Sequence, residues 1–207
     1  MKKLLLLSAL AIGAANADIV PNLLVGPGTV SCDFDVALGQ VCTYNYTATL
    51  HSQTMVTGAQ DEPEYFTIYD FNGYIPGTVA SADPDWTAES NNSGLTPDLI
   101  AIGARDDAGI ANLTFTYIGA SDIKDGRTFI GFSAQSIYGP ATTTDWYSSQ
   151  AHKQGDTPGG IVQNVGQVQV PLNPLGEPGD VPEPMSMMLF GGGLAAMGLL
   201  PRRLKKN

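Results

Sequence analysis

The sequence predicts a mainly β protein: a single antiparallel β-sandwich-like domain, followed by a C-terminal hydrophobic (transmembrane) helix. Three observations lead there. Apolar and polar residues alternate with period two in several short runs. Gly, Pro, Asn and Asp interrupt those runs often, and no amphipathic helical period precedes the C-terminal segment. The 207 residues divide into an N-terminal leader (1–17), a body (18–170), a Pro/Gly-rich linker (171–180) and a tail (181–207). The body is of a length that suits one ordinary domain.

The leader has the three parts of a secretory signal peptide. Lys2 and Lys3 open it, Leu4 to Gly13 form a short apolar stretch, and Ala15 and Ala17 supply the small residues that precede cleavage at Asp18. The apolar stretch is too short to span a bilayer comfortably. Gly26-Pro27-Gly28 reads as a turn. Cys32 and Cys42, the only cysteines, are an even pair in an exported chain and read as one disulfide. Closing so short a loop is worth about 2–3 kcal/mol in the chain-entropy picture.

Strands follow in order. In Cys42–Leu50 the residues Cys42, Tyr44, Tyr46, Ala48 and Leu50 share one face, and Thr43, Asn45, Thr47 and Thr49 share the other. Tyr65–Phe71 is aromatic and β-branched. Leu113–Ile118 sets Leu113, Phe115 and Tyr117 against Thr114 and Thr116. Thr128–Ile137 and Ile161–Val170 give two more strands, while Leu99–Ala104 is too short for a helix. Turns are expected at Asn72-Gly73, Ile75-Pro76-Gly77, Asp125-Gly126 and Pro158-Gly159-Gly160. No repeat of solenoid or propeller period is present.

Charge is divided unevenly. Between Asp18 and Pro182 lie four basic residues (Arg105, Lys124, Arg127 and Lys153) against nineteen acidic ones, a net of −15. That sign excludes nucleic acid as a natural partner, since phosphates attract basic surfaces. It suits solubility outside the cell.

Nothing in the body reads as an enzyme. His51 and His152 are the only histidines, and His152 falls in a polar, loop-like stretch beside Lys153. Gly131-Phe132-Ser133-Ala134-Gln135 lacks the last glycine of a nucleophile elbow, and no zinc, Walker or dinucleotide signature occurs. Asp33 with Asp35, Asp61-Glu62 with Glu64, Asp83 with Asp85, and Asp106-Asp107 are candidate Ca²⁺ ligands. None follows a calcium-loop template, so no metal and no cofactor is expected. Tyr65, Tyr69, Tyr74, Trp86, Tyr138, Trp146 and Tyr147 are candidates for a sugar-stacking platform or for core packing. Trp146 and Tyr147 read as loop residues. Glu89-Ser90-Asn91-Asn92-Ser93 fits a bacterial N-glycosylation acceptor, or simply a turn.

The tail has three parts in order: Val181-Pro182-Glu183-Pro184, an apolar segment from Met185 to Leu200, and a basic cluster of Arg202, Arg203, Lys205 and Lys206. Sixteen helical residues rise about 24 Å, short of a hydrocarbon core of about 30 Å but within reach of bilayer thinning. The basic cluster should stay cytoplasmic and leave the body outside.

This tail resembles the PEP-CTERM sorting signal of Gram-negative bacteria that make extracellular polysaccharide. The resemblance implies that Pro182, Glu183 and Pro184 are recognised by an exosortase, which removes the apolar tail. It makes exosortase and signal peptidase the processing partners and the inner membrane a transient station before the cell surface or extracellular matrix. Phe66-Thr67-Ile68-Tyr69-Asp70-Phe71, Trp86-Thr87 and Asn112-Leu113-Thr114-Phe115-Thr116-Tyr117 are similar to runs in a group of PEP-CTERM proteins with a β-rich domain of unassigned activity. The expected function is therefore that of an exported, non-enzymatic protein of exopolysaccharide or biofilm. A polysaccharide-binding module, an ice-binding protein and a secreted hydrolase are the alternatives. Ice binding would need a regular Thr array, whereas Thr47/Thr49 and Thr114/Thr116 are isolated pairs.

Overall fold

The computed structural model describes residues 19–24, 26, 29–51, 54–56, 62–100, 102, 106–124, 126–153 and 160–175, with 54–56 as backbone only. The leader, Ala15, Ala17, Asp18, the Val181–Pro184 motif, the apolar segment and the basic cluster Arg202, Arg203, Lys205 and Lys206 lie outside the described residues. The chain divides into two units, Met1–Leu172 and Asn173–Asn207.

The first unit is mainly β and antiparallel, as expected. Its strands are β1 (Ile19–Leu23), β2 (Val30–Asp35), β3 (Gly39–Leu50), β4 (Thr54–Val56), β5 (Tyr65–Ile68) and β6 (Ala80–Ser81), then β7 (Trp86–Asn91), β8 (Asn112–Tyr117), β9 (Ile123–Lys124), β10 (Thr128–Ser136), β11 (Thr142–Lys153) and β12 (Ile161–Pro171). They form two sheets. One runs β1-β3-β10-β6 with β2 also on β3; the other runs β7-β8-β5-β11-β4-β9 with β12 on β11.

The two sheets share one core. β3 turns Cys42, Tyr44, Tyr46, Ala48 and Leu50 inward as its alternation predicts. Phe129 and Phe132 of β10 meet rings from the other sheet. Phe132 lies 5.0 Å from Phe66, 5.0 Å from Phe115 and 5.3 Å from Trp86, while Phe129 lies 5.0 Å from Trp86. Tilted and edge-on ring pairs of this kind add attraction beyond the area they bury.

Phe129 and Phe132 are three residues apart, which a regular strand would place on opposite faces. A bulge between Ile130 and Phe132 resets the phase, so Ile130 points out and Phe132 points in. Gly131 carries the bulge at φ +90°, where a Cβ would sit 2.7 Å from that of Ala82.

Two readings of the sequence are corrected. The strand expected over Tyr65–Phe71 ends at Ile68, because Asp70 adopts φ +52° and turns the chain. Thr142–Lys153 is not a loop but a strand of twelve residues paired with β12, β5 and β4. It therefore places Trp146, Tyr147 and His152 in a sheet. Thr114 lies on the face opposite Phe115, as expected, and both faces of β8 are covered there.

The cover on the outer face comes from the segment around Leu95. Its carbonyl accepts the Thr67 hydroxyl at 2.7 Å, and Thr67 Oγ1 lies 3.0 Å from Thr114 Oγ1. Buried polar groups survive here because they are paired. The Tyr69 hydroxyl meets Ser148 Oγ at 2.7 Å and Thr96 Oγ1 at 2.6 Å, and Gln150 donates to the Pro63 carbonyl at 2.9 Å.

Cys32 and Cys42 form the disulfide between directly opposed residues of β2 and β3. The native protein should accordingly take up no alkylating reagent when denatured without reductant, and two equivalents after reduction. Intact mass before and after reduction checks this.

Candidate functional site

Of the residues singled out for chemistry, His152 meets Glu64, and Asp106 and Asp107 meet Asp70 and Asn112. His51 follows β3, whereas His152 sits on β11 with Nδ1 2.5 Å from Oε1 of the fully buried Glu64. That pair ties β11 to the segment before β5. Among the described residues, no three His, Cys, Asp or Glu side chains are arranged to hold a metal ion. Asp35 accepts from the Ala37 and Leu38 amides at 2.8 and 2.9 Å, and Asp83 accepts from the Asp85 amide at 3.0 Å. Asp61 lies outside the described residues. Asn91 likewise holds its own turn, with Oδ1 accepting from the Ser93 amide at 3.0 Å and from the Gly94 amide.

The aromatic candidates separate by burial. Tyr65, Tyr69, Trp86 and Tyr147 are core residues, whereas Tyr74, Tyr138 and Trp146 are partly exposed. The Tyr74 hydroxyl is occupied by Ser90 Oγ at 2.9 Å and the Gly77 amide at 3.2 Å.

The two short motifs around Tyr69 and Asn112 meet in a buried polar knot. The Asp70 amide donates to Asn112 Oδ1 at 2.9 Å, and Asn112 Nδ2 donates to Asp106 Oδ1 at 2.9 Å. The Asp107 amide donates to both Asp70 oxygens, at 3.0 and 3.2 Å. Burial pushes the Asp70 carboxyl up to about 7. The Asp107 amide opposes that rise, and the nearby acids Asp145, Asp106 and Asp107 add to it. The arrangement closes a loop onto β8.

Two surface features stand out instead, and the sequence reading passed over both. The first is the tip of the β2–β3 hairpin. Phe34, Val36 and Leu38 are 81%, 96% and 52% exposed, side by side on a turn set by Asp35 and stapled by the disulfide. Exposed Asp33 and Asp35 flank Phe34. The alternation Phe34-x-Val36-x-Leu38 was a visible signal, but its period suggests buried strand residues rather than an exposed tip.

The second feature is a cleft of about 380 Å³ at the start of β10, lined by Asp83, Arg127, Phe129, Ile130 and Gly131 among others. Ile130 is 68% exposed, and the Arg127 guanidinium lies 5.1 Å from the centre of the Phe129 ring. The cleft exists because β6 pairs with β10 only at Phe132 and Ser133, leaving the outer edge before the bulge without a strand partner among the described residues. No family model matches the chain, and no curated protein or solved structure matches it.

Proposed function

We infer that this chain is an exported, non-enzymatic protein of the cell surface or extracellular matrix. Its β-sandwich-like domain is delivered by the 1–17 leader and sorted by an exosortase through Val181-Pro182-Glu183-Pro184. The observation that carries this reading is the pairing of two end signals around an acidic, disulfide-bearing β domain. A disulfide fits an oxidising compartment outside the cytoplasm. The apolar segment Met185–Leu200 and its basic stop fit a transient helix in the inner membrane, cleared when the tail is cut. Association with exopolysaccharide follows from the resemblance of the tail.

The test is the intact mass of the native protein from fractionated cells, with terminal peptides mapped. The expected chain begins at Asp18 and ends near Glu183, and added mass at its C-terminus would identify the attachment. A membrane-bound chain that still ends at Asn207 in exosortase-positive cells overturns the sorting assignment. Replacing Pro182 and Glu183 by Ala should leave the tail uncut, so that the protein accumulates in the membrane fraction at its longer mass.

A further inference from the structure

The chain holds three Asn-x-Ser/Thr triplets, the acceptor pattern for an N-linked glycan: Asn45-Tyr46-Thr47, Asn91-Asn92-Ser93 and Asn112-Leu113-Thr114. The fold treats them differently. Asn112 is fully buried and uses both ends of its amide, Nδ2 on Asp106 and Oδ1 on the Asp70 amide. Asn45 lies inside β3, opposite Ser133 of β10 on one side, while its backbone amide donates to the Thr29 carbonyl at 3.0 Å. Neither can enter an enzyme without opening a sheet.

Asn91 is placed otherwise. It is the last residue of β7, which ends its sheet and pairs with β8 alone among the described strands. Exposure alternates along β7: Thr87, Glu89 and Asn91 are exposed, while Trp86, Ala88 and Ser90 turn inward. Glu89 and Asn91 therefore stand side by side on the solvent face. The residues two before Asn45 and Asn112 are Thr43 and Ile110, so only Asn91 has a carboxylate at that position. Such a carboxylate gives a transferase a charged handle beside the acceptor. Beyond Asn91 the chain leaves the sheet through Asn92 and Ser93, both exposed.

The turn after β7 also sets the orientation of the Asn91 amide. The Ser93 amide donates to Oδ1 at 3.0 Å, the Gly94 amide donates to the same oxygen, and the Ser93 hydroxyl lies 3.4 Å from it. Backbone N–H donors require an oxygen at that place, so Nδ2 is turned away from them. It has no hydrogen-bond partner among the described residues. Holding the turn accounts for Oδ1. It does not account for the outward nitrogen, the neighbouring Glu89 or the hydroxyl of Ser93 kept beside the amide.

We propose that Asn91 is an N-glycosylation site, with Glu89 and Ser93 as its recognition residues and a polyprenyl-diphosphate-linked oligosaccharide as the donor. The inference rests on the export reading above, because the acceptor must meet that donor outside the cytoplasm. In the transfer, Nδ2 bonds to the anomeric carbon as the bond from that carbon to the diphosphate oxygen breaks. The diphosphate carrier leaves with the electron pair, and the proton lost from Nδ2 passes to a carboxylate of the transferase. A glycan at the end of β7 also adds bulk at an open sheet edge, where strands of other chains would otherwise pair.

The experiment is peptide mapping by mass spectrometry of the native protein recovered from the cells that make it, with fragmentation that keeps the sugar attached. The peptide containing Asn91 should carry the glycan, and those containing Asn45 and Asn112 should be bare. Asn91→Asp keeps an oxygen for the turn but lacks the nitrogen, and should lose the added mass completely. Glu89→Gln and Ser93→Ala should each lose most of it, whereas Ser93→Thr should retain it. All three positions are exposed, so circular dichroism and the disulfide should be unchanged in every variant. A chain that begins at Asp18 with a bare Asn91 overturns this proposal and leaves export standing. A chain that keeps residues 1–17 overturns both. Sugar placed on Ser90 or Ser93 instead, or full occupancy in Glu89→Gln or Ser93→Ala, also overturns the assignment.

Discussion

Phe132→Ala should destabilise the domain by about 3–5 kcal/mol, a large share of the stability of an ordinary domain. The ring is fully buried and touches Phe66, Phe115 and Trp86 at centroid distances of 5.0–5.3 Å. It is thus the piece of β10 that joins one sheet to the other. Removing it costs the transfer energy of the ring and leaves a cavity between rings that cannot easily collapse. Urea unfolding should show a lower midpoint with the slope unchanged. Phe132→Leu, which keeps most of the volume, should cost clearly less.

Ile130→Ala is the matched control, two residues earlier on the same strand and expected within about 0.5 kcal/mol of wild type. Equal losses at both positions would mean that the bulge at Gly131 does not set the phase of β10. A large loss at Phe132 alone confirms that phase.

Other strands differ in how plainly the sequence discloses them. β3 was legible residue by residue because one of its faces is buried and the other is not, so burial and alternation coincide. β11 was illegible for the converse reason. Tyr147, Ser148, Ser149, Gln150 and Ala151 are buried in succession, and Ser148 and Gln150 are satisfied by partners distant in sequence. No local period can reveal a strand covered on both faces. The end of β5 was hidden in Asp70, whose left-handed backbone is uncommon for a residue with a side chain.

The surface features divide in the same way. The disulfide was readable from count and compartment, and the exposed tip it staples is written in Asp33-Phe34-Asp35-Val36-Ala37-Leu38. The cleft was not readable. It depends on where β6 stops pairing with β10, which is a matter of tertiary register. Motif residues around Tyr69 and Asn112 had no assigned role in the sequence. Their hydrogen bonds now account for them as the tie between β5, β8 and the loop through Asp106 and Asp107.

That tie carries the last large effect. Wild-type stability should fall as pH rises from about 4 towards neutrality, and Asp70→Asn should remove much of the fall. The Asp70 carboxyl is raised from an ordinary 3.8 to about 7, first by burial and then by the negative charges of Asp145, Asp106 and Asp107. A raised folded value means that the folded state holds its proton more tightly than the unfolded chain. The resulting stability is fully present below about pH 4 and is lost as pH rises through about 7. The complete shift would correspond to about 4 kcal/mol at about 1.4 kcal/mol per unit, and solvent screening at the edge of the knot reduces this to about 2 kcal/mol. Asparagine suits this position because it tolerates positive φ, matches the shape and keeps an acceptor for the Asp107 amide. Asp70→Asn should therefore be more stable than wild type at pH 8 and about equal to it at pH 4, as read from urea midpoints at the two pH values. Asp70→Ala discriminates the cause, since it removes the charge but also the acceptor. It should be less stable than Asp70→Asn at both pH values, because the Asp107 amide then loses its partner in a half-closed site. If Asp70→Asn instead loses stability at pH 8, the carboxylate is held ionised in the folded protein, and the knot owes its strength to charge rather than to burial of a neutral acid.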